Sequence, residues 1–245
     1  MKQHEAVIAT LEKLGGVATL GQLYKEVFKF SDCKWGTKTP FASIRRIVQK
    51  RPEIFKIKPG LYGLTSKRSE LETRGLIAQT ERNKDSEEIK RSDHTYYQGL
   101  LLILGKMKGF GCWSPNQDRK KEFLSTPLES LRSLQAMPVF SYPHFIKRCE
   151  TIDVIWFNQR QMPSRFFEIE HSTDIQNSLL KYNDLQDFYT RMFIVASSKR
   201  KREFENKIHY SSFQDIAERV DFLTFDWLVK EYEHMVESLQ QETAL

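Results

Sequence analysis

Val7, Ile8, Leu11 and Leu14 recur at helical spacing and Gly15-Gly16 ends the run, which predicts a first helix over 4–14. Thr19 opens a second, with Gln22 three residues on, the spacing of a capping box. Leu20, Leu23, Tyr24, Val27 and Phe28 give that helix its apolar face. A third helix starts at Thr39-Pro40: Thr at the N-cap, then Pro where its missing N–H is not needed. Phe41, Ile44, Ile47 and Val48 form its buried stripe, Ser43, Arg46 and Lys50 its opposite face, and Arg45 and Gln49 the flanks. Residues 54–64 are two short apolar runs about Pro59-Gly60, the pattern of a β-hairpin.

Beyond residue 66 the periodicity fades. Residues 67–93 mix both signs of charge, with Leu71, Leu76, Ile77 and Ile89 as apolar anchors, and are expected to form a partly helical linker or, in their middle, a disordered one. From residue 94 a second pattern begins. Residues 96–108 form a strongly apolar helix, residues 110–113 a strand, and 116–141 a polar insertion. Residues 152–157 and 165–170 read as two strands joined through Pro163. Ile175, Leu179, Tyr182, Leu185 and Phe188 mark an amphipathic helix, and residues 192–196 a wholly apolar strand. A basic helix, a further short segment at 213–219, a strand at 221–225 and a helix at 227–239 complete the chain. Antiparallel strands followed by a crossover to a parallel one predict a mixed sheet with helices on both faces. The expected class is therefore α+β or α/β, with a small helical module at residues 1–66, the linker at 67–93 and a mixed-sheet domain at 94–240.

Charge sharpens this division. The net charge of +6 is unevenly spread: residues 1–66 carry 12 Lys/Arg against 5 Asp/Glu, residues 67–93 carry 7 of each, and residues 94–245 carry 19 against 20. The basic excess thus falls on the first module, as expected of a nucleic-acid-binding unit, although a solvated basic face has the same signature. No apolar run approaches the roughly 18 residues of a membrane span. Cys33, Cys112 and Cys149 have neither zinc nor CxxC spacing, which suits free thiols in a cytoplasmic protein. His94, His144, His209 and His234 show no metal spacing, and neither nucleotide-binding glycine motif is present.

The candidate chemistry lies in the two strands. Residues two apart in a strand share a side, so Glu168 and Glu170 face together while Ile169 faces the other layer. Asp153 lies on the neighbouring strand, where antiparallel pairing brings it beside them. Three carboxylates among Phe and Ile repel one another unless a cation neutralises them. Mg²⁺ takes hard oxygen ligands and keeps waters, which suits phosphodiester hydrolysis. An E-x-E on a solvent-facing strand is the structural alternative.

Three helices followed by a hairpin make a winged helix-turn-helix, in which the third helix enters a DNA groove and Lys56 and Lys58 of the wing track phosphate. With Ala18-Thr19-Leu20, Thr39-Pro40 and the wing 55–64, the module resembles the HARE-type winged helix. That resemblance implies DNA binding through Thr39, Ser43, Arg45, Arg46, Lys50, Lys56 and Lys58, with modified-base sensing or protein contact as further uses of the family.

Asp153, then Glu168-Ile169-Glu170 about fifteen residues later, between an apolar helix and an amphipathic one, resembles the PD-(D/E)xK nuclease superfamily. The stretch Phe167-Glu-Ile-Glu-His-Ser-Thr-Asp-Ile175, with Leu179 and Asp184-Leu185, resembles prokaryotic restriction-endonuclease-like proteins within it. The resemblance implies Mg²⁺ (or Mn²⁺) held by Asp153, Glu168 and the Ile169 carbonyl, with Glu170 in the place where that superfamily usually has the water-polarising Lys. Ile152 stands where the superfamily has its proline. Lys181 is a candidate replacement cation, Gln98 a candidate holder of metal-bound water and Asp118 a candidate loop carboxylate; a solvated lysine, a surface glutamine and a turn residue are the plain alternatives. The function so implied is a restriction-type, metal-dependent endonuclease acting on double-stranded DNA in phage defence, with a homodimer for cutting two strands. The competing functions are a non-catalytic DNA-binding regulator or modified-base sensor on an inactive nuclease fold, and a module for protein interaction.

Overall fold

A computed structural model describes residues 1–80, 83 and 86–243. Two compact units divide the chain: Met1–Ser92 together with Val229–Leu245, and Asp93–Leu228. The first unit ends at Ser92 and resumes at Val229, so the last helix passes from the second unit into the first.

The first unit runs α1 (Gln3–Lys13), β1 (Val17–Thr19), α2 (Leu20–Glu26), α3 (Pro40–Lys50), β2 (Ile54–Lys58), β3 (Leu61–Leu64) and α4 (Arg68–Thr73). Its three helices and hairpin come in the predicted order. Strand β1, absent from the sequence expectation, pairs antiparallel with β3 and completes a sheet of order β1-β3-β2. Gly15 and Gly16 hold φ of +82° and +88° between α1 and β1, a conformation that disfavours side chains. The capping box forms as expected: the Thr19 hydroxyl accepts from the Gln22 N–H at 3.0 Å, and the Gln22 side chain accepts from the Thr19 N–H at 2.8 Å. Thr39 occupies the N-cap of α3, but its side chain makes no capping hydrogen bond.

The wing departs from simple alternation. A bulge between Lys56 and Lys58 places one extra residue on β2 opposite β3. Ile57 and Lys58 are both buried as a result, and only Lys56 remains exposed. The Lys58 ammonium donates to Ser92 Oγ at 3.0 Å, so it is not presented to phosphate as its alternating position predicted. Arg45 is also engaged within the unit: its guanidinium lies 3.5 Å from the Glu237 carboxylate and over the Tyr24 ring at 5.8 Å. The end of the chain packs close here. A Cβ on Gly21 would stand 2.6 Å from the Tyr232 ring, and the Tyr232 hydroxyl lies 3.3 Å from Thr19 Oγ1.

The predicted linker is helical at both ends, in α4 and in α5 (Glu87–Met107), which crosses the unit boundary. Leu71 and Ile89 are buried anchors. The expected disorder in its middle falls on residues 81, 82, 84 and 85, which lie outside the described residues.

The second unit continues with β4 (Gly111–Trp113), β5 (Glu122–Phe123), β6 (Thr126–Pro127), α6 (Leu128–Leu131), α7 (Pro143–Cys149), β7 (Val154–Phe157), β8 (Pro163–Glu170), α8 (Ile175–Asn183), β9 (Arg191–Ala196), α9 (Lys201–Ile208) and β10 (Val220–Thr224), and α10 (Phe225–Thr243) leads out of it. Its five-stranded sheet has the order β10-β9-β8-β7-β4. β4/β7 and β7/β8 are antiparallel, β8/β9 and β9/β10 parallel, giving the mixed sheet expected. One face carries Ile155, Phe157, Phe166, Met192 and Ile194 into a core with Ile175, Leu179 and Tyr182 of α8. On the other face the Trp156 indole N–H donates to the Leu101 carbonyl of α5 at 3.1 Å. Helix and strand approach closely here: a Cβ on Gly105 would stand 2.5 Å from both Cys112 Sγ and the Trp156 ring. The polar insertion after β4 holds the small β5-β6 hairpin and α6. The segment predicted to run to Phe188 as one helix stops at Asn183, and the stretch around Phe213 forms 3-10 turns.

Candidate active site

The register between β7 and β8 builds the site. Val154 pairs with Phe167, so Asp153, one residue before β7, comes opposite Glu168. β8 runs on beyond its partner, leaving Ile169 and Glu170 with an unpaired edge on that side. Asp153 covers this edge: its Oδ2 accepts the Ile169 N–H at 2.8 Å. The N–H and C=O of a strand residue point to the same edge, so the Ile169 carbonyl is turned towards Asp153 and away from β9. The Asp153 N–H in turn lies 3.4 Å from Glu168 Oε1.

Helix α8, the turn before it and the turn after β9 supply the covering groups. Ser178 Oγ lies 3.2 Å from Glu168 Oε2 and donates to Glu170 Oε1. Thr173 Oγ1 donates to the other Glu170 oxygen, and Arg200 Nη1 stands 3.9 Å from it. Lys181 is not a solvated lysine. Its ammonium lies 2.8 Å from Glu168 Oε2 and 3.0 Å from the Thr151 carbonyl. Glu168 and Glu170 thus face together as the alternation predicted, and both are buried. The Glu170 carboxylate is taken up by hydroxyls and an arginine of its own chain.

Helix α5 and the turn after β4 complete the surroundings. Gln98 is fully buried, not a surface glutamine; its Nε2 donates to the Asp153 carbonyl at 2.8 Å and to Asp118 Oδ2 at 3.1 Å. Asp118 is likewise buried and pairs through Oδ1 with Lys121 at 2.6 Å. His94 Nε2 lies 3.5 Å from Asp153 Oδ1. Ligand atoms of His94, Asp118 and Asp153 all fall within 4.8 Å of one another.

Burial pushes the Glu168 carboxyl up, and Asp153 and Glu170 add to this against the opposing pull of Lys181. Burial would raise Asp153 too, but the His94 imidazole and the Ile169 N–H hold it below the usual carboxylate range. Burial likewise pushes Glu170 up, against the hydrogen bonds from Ser178 and Thr173. Burial disfavours the Lys181 ammonium, and Glu168 more than offsets that. These shifts are those of a site short of positive charge. Buried carboxylates, the outward-turned strand carbonyl and a buried amide oxygen fit a hard divalent cation.

Sequence reasoning brought Asp153, Glu168, Glu170 and Ile169 to one place, and Lys181, Gln98 and Asp118 prove to adjoin them. It missed His94. The signal was present: His94 and Gln98 are four residues apart and share a helix face. Starting the helix at residue 96, when it begins at Glu87, hid that relation.

A mixed-sheet domain with this buried carboxylate site is of the restriction-enzyme-like class. The chain belongs to the family described as the type II restriction enzyme NmeDI C-terminal domain, whose pattern matches residues 75–243. All residues of the site fall inside that range. The type II restriction enzyme NmeDI of Neisseria meningitidis serogroup C is 22% identical over 139 residues, covering 53% of this chain and 39% of the relative. The chain thus spans well under half the length of that relative. No solved structure matches it. No helix among the described residues is long and apolar enough to cross a membrane.

Proposed function

We propose that the protein is a restriction-type endonuclease that hydrolyses phosphodiester bonds of double-stranded DNA with Mg²⁺ or Mn²⁺. The observation that carries this reading is the register placing Asp153 against Glu168 at the strand edge where the Ile169 carbonyl turns outward. Asp153, Glu168 and that carbonyl would hold the cation. When bound, it lowers the pKa of a water and offsets charge building on the phosphate. Lys181, anchored on Glu168, brings the positive charge that a carboxylate at Glu170 cannot. Glu170 fixes Ser178 and Arg200 and so positions the Lys181 face of α8.

The first unit is proposed to bind DNA as a HARE-type winged helix, with recognition of modified bases as one use of that grip. Its contact surface is the face of α3 bearing Thr39, Ser43, Arg46 and Lys50, with Lys56 of the wing; Arg45 and Lys58 make the internal contacts described above. Ser43, Arg46 and Lys50, with Arg51, His4 and Gln3, line a groove of about 440 Å³ on this unit. Cutting both strands would bring two copies together on one duplex.

Purified protein incubated with supercoiled plasmid and Mg²⁺ or Mn²⁺ is expected to convert it to nicked or linear form, with EDTA stopping the reaction. Arg46→Ala/Lys50→Ala is expected to weaken duplex binding by at least about tenfold and to flatten its salt dependence by about two phosphate contacts. Unchanged binding would remove α3 from the interface. The enclosure of Glu170 by hydroxyls of its own chain favours one second reading, a DNA-binding protein on an inactive nuclease fold. Salt-dependent binding, without cleavage of any modified or unmodified DNA tried, would decide for it.

A further inference from the structure

Ionised carboxylates at Asp153, Glu168 and Glu170 repel a phosphodiester as well as one another. Residues 94–245 hold no general excess of cations to offset this, with 19 Lys/Arg against 20 Asp/Glu. Cations gather instead in two short runs, Arg119-Lys120-Lys121 and Lys199-Arg200-Lys201-Arg202. The sheet brings both runs to its carboxylate end. Trp113, the last residue of β4, pairs with Ile155 near the start of β7, so the chain leaves β4 on the side of Asp153. Ala196, the last residue of β9, pairs with Glu170. In the order β9-β8-β7-β4 these two exits are three strand spacings apart, roughly 14 Å, with the carboxylate strands between them.

Each run is rooted at the site by the protein's own contacts. Before the first, the buried guanidinium of Arg132 donates to Ser114 Oγ at 3.2 Å, Asn116 Oδ1 at 3.0 Å and the Pro115 carbonyl at 2.7 Å. Lys121 turns back to the buried Asp118, and the Arg119 carbonyl accepts the Glu129 N–H of α6 at 3.0 Å. In the second run Arg200 turns back: it donates to the Thr173 carbonyl at 2.6 Å, pairs with Glu203 at 2.9 Å and stands 3.9 Å from Glu170. Arg119, Lys120, Lys199 and Arg202 are left exposed, and none of them makes an ion pair among the described residues. We propose that these four cations bracket the carboxylate site as a clamp on the phosphate backbone of duplex DNA. The proposal rests on the nuclease reading and gives the second unit a DNA-contact surface of its own. A span of roughly 14 Å is about four base steps at 3.4 Å each, so the two runs meet phosphates on either side of one brought to Asp153 and Glu168. Turns already fixed by hydrogen bonds lose little freedom on binding, which favours a grip over a merely solvated charge.

Duplex binding by the full chain in EDTA, measured across a salt series, tests this without cleavage. Arg119→Ala/Lys120→Ala and Lys199→Ala/Arg202→Ala are each expected to weaken binding at least about tenfold and to reduce the slope of log affinity against log salt by about two. Arg119→Lys/Lys120→Arg and Lys199→Arg/Arg202→Lys keep the charges and are expected to bind like the parent. Lys106→Ala/Arg160→Ala removes two exposed cations at the other end of the sheet and is expected to change neither quantity. With Mg²⁺, the alanine pairs are expected to need more DNA for half-maximal cleavage while keeping the rate at saturation, as a loss of binding does and a distorted site does not. Parental affinity and slope in either alanine pair overturns the clamp. Plasmid cleavage separates the two claims. Weakened binding in both pairs of a protein that cuts no DNA leaves the clamp standing and removes the nuclease reading. Cleavage by a parent whose alanine pairs bind as it does removes the clamp and leaves that reading.

Discussion

Asp153→Ala is expected to lower plasmid cleavage by at least about a thousandfold, a loss of roughly 4 kcal/mol of transition-state stabilisation. Both sides of the site depend on this side chain. One oxygen seals the open edge of β8 by accepting the Ile169 N–H, and the other meets His94. Removing it takes away a carboxylate and leaves the Ile169 N–H without its partner. Asp153→Asn separates these effects. The amide keeps the volume and its carbonyl can still accept from Ile169, so the fold is expected to hold while cleavage falls as in the Ala variant. Thermal unfolding measured beside cleavage reads both. Cleavage at the parental rate by Asn and Ala variants that remain folded would place the chemistry elsewhere in the chain.

The second large effect is expected at Lys181. Lys181→Met leaves Glu168 buried with Ser178 and a distant backbone N–H as its remaining partners. Breaking a buried pair from one side is far more disruptive than removing both members. Lys181 is partly open to solvent, which reduces the penalty, so a loss of about 2 kcal/mol is expected in denaturant unfolding. Glu168→Gln added to Lys181→Met should recover much of that loss, because the buried charge goes with its partner. Activity should divide differently: both variants cut at least about a hundredfold more slowly, and Lys181→Arg regains part of the rate. If Lys181→Met unfolds like the parent, the ion pair is not holding α8 to the strand edge. If it also cuts like the parent, Lys181 has no part in the reaction.

The parts of the fold legible in the sequence are those set by local rules. The Gly15-Gly16 stop, the Thr19/Gln22 box, Pro40 at the start of α3 and the apolar run of β9 each carry their instruction within a few residues. The common side of Glu168 and Glu170 followed from strand alternation, and the expectation of Asp153 beside them from antiparallel pairing of neighbouring strands. What stayed hidden was non-local. Lys58 looked outward by alternation, but a bulge that no residue type announces turned it in. Arg45 looked like a groove contact until Glu237, far along the chain, came to meet it. Gln98 and Asp118 could be placed near the site only as alternatives to surface positions, because their burial depends on how the turn after β4 folds back on α5. The small strands β1, β5 and β6 are too short for periodicity to mark, and exist through their partners.

Thr19 and Gly21 meet Tyr232 within the first unit, which has a consequence for the order in which the protein is made. On the ribosome, the helices and hairpin of that unit emerge before the second unit, and domains commonly fold as they appear. Here the surface around Gly21 stays bare until Tyr232, buried in the finished protein, has been synthesised more than two hundred residues later. The helices and hairpin of the first unit are thus completed only after the whole second unit has been translated and Tyr232 has followed it.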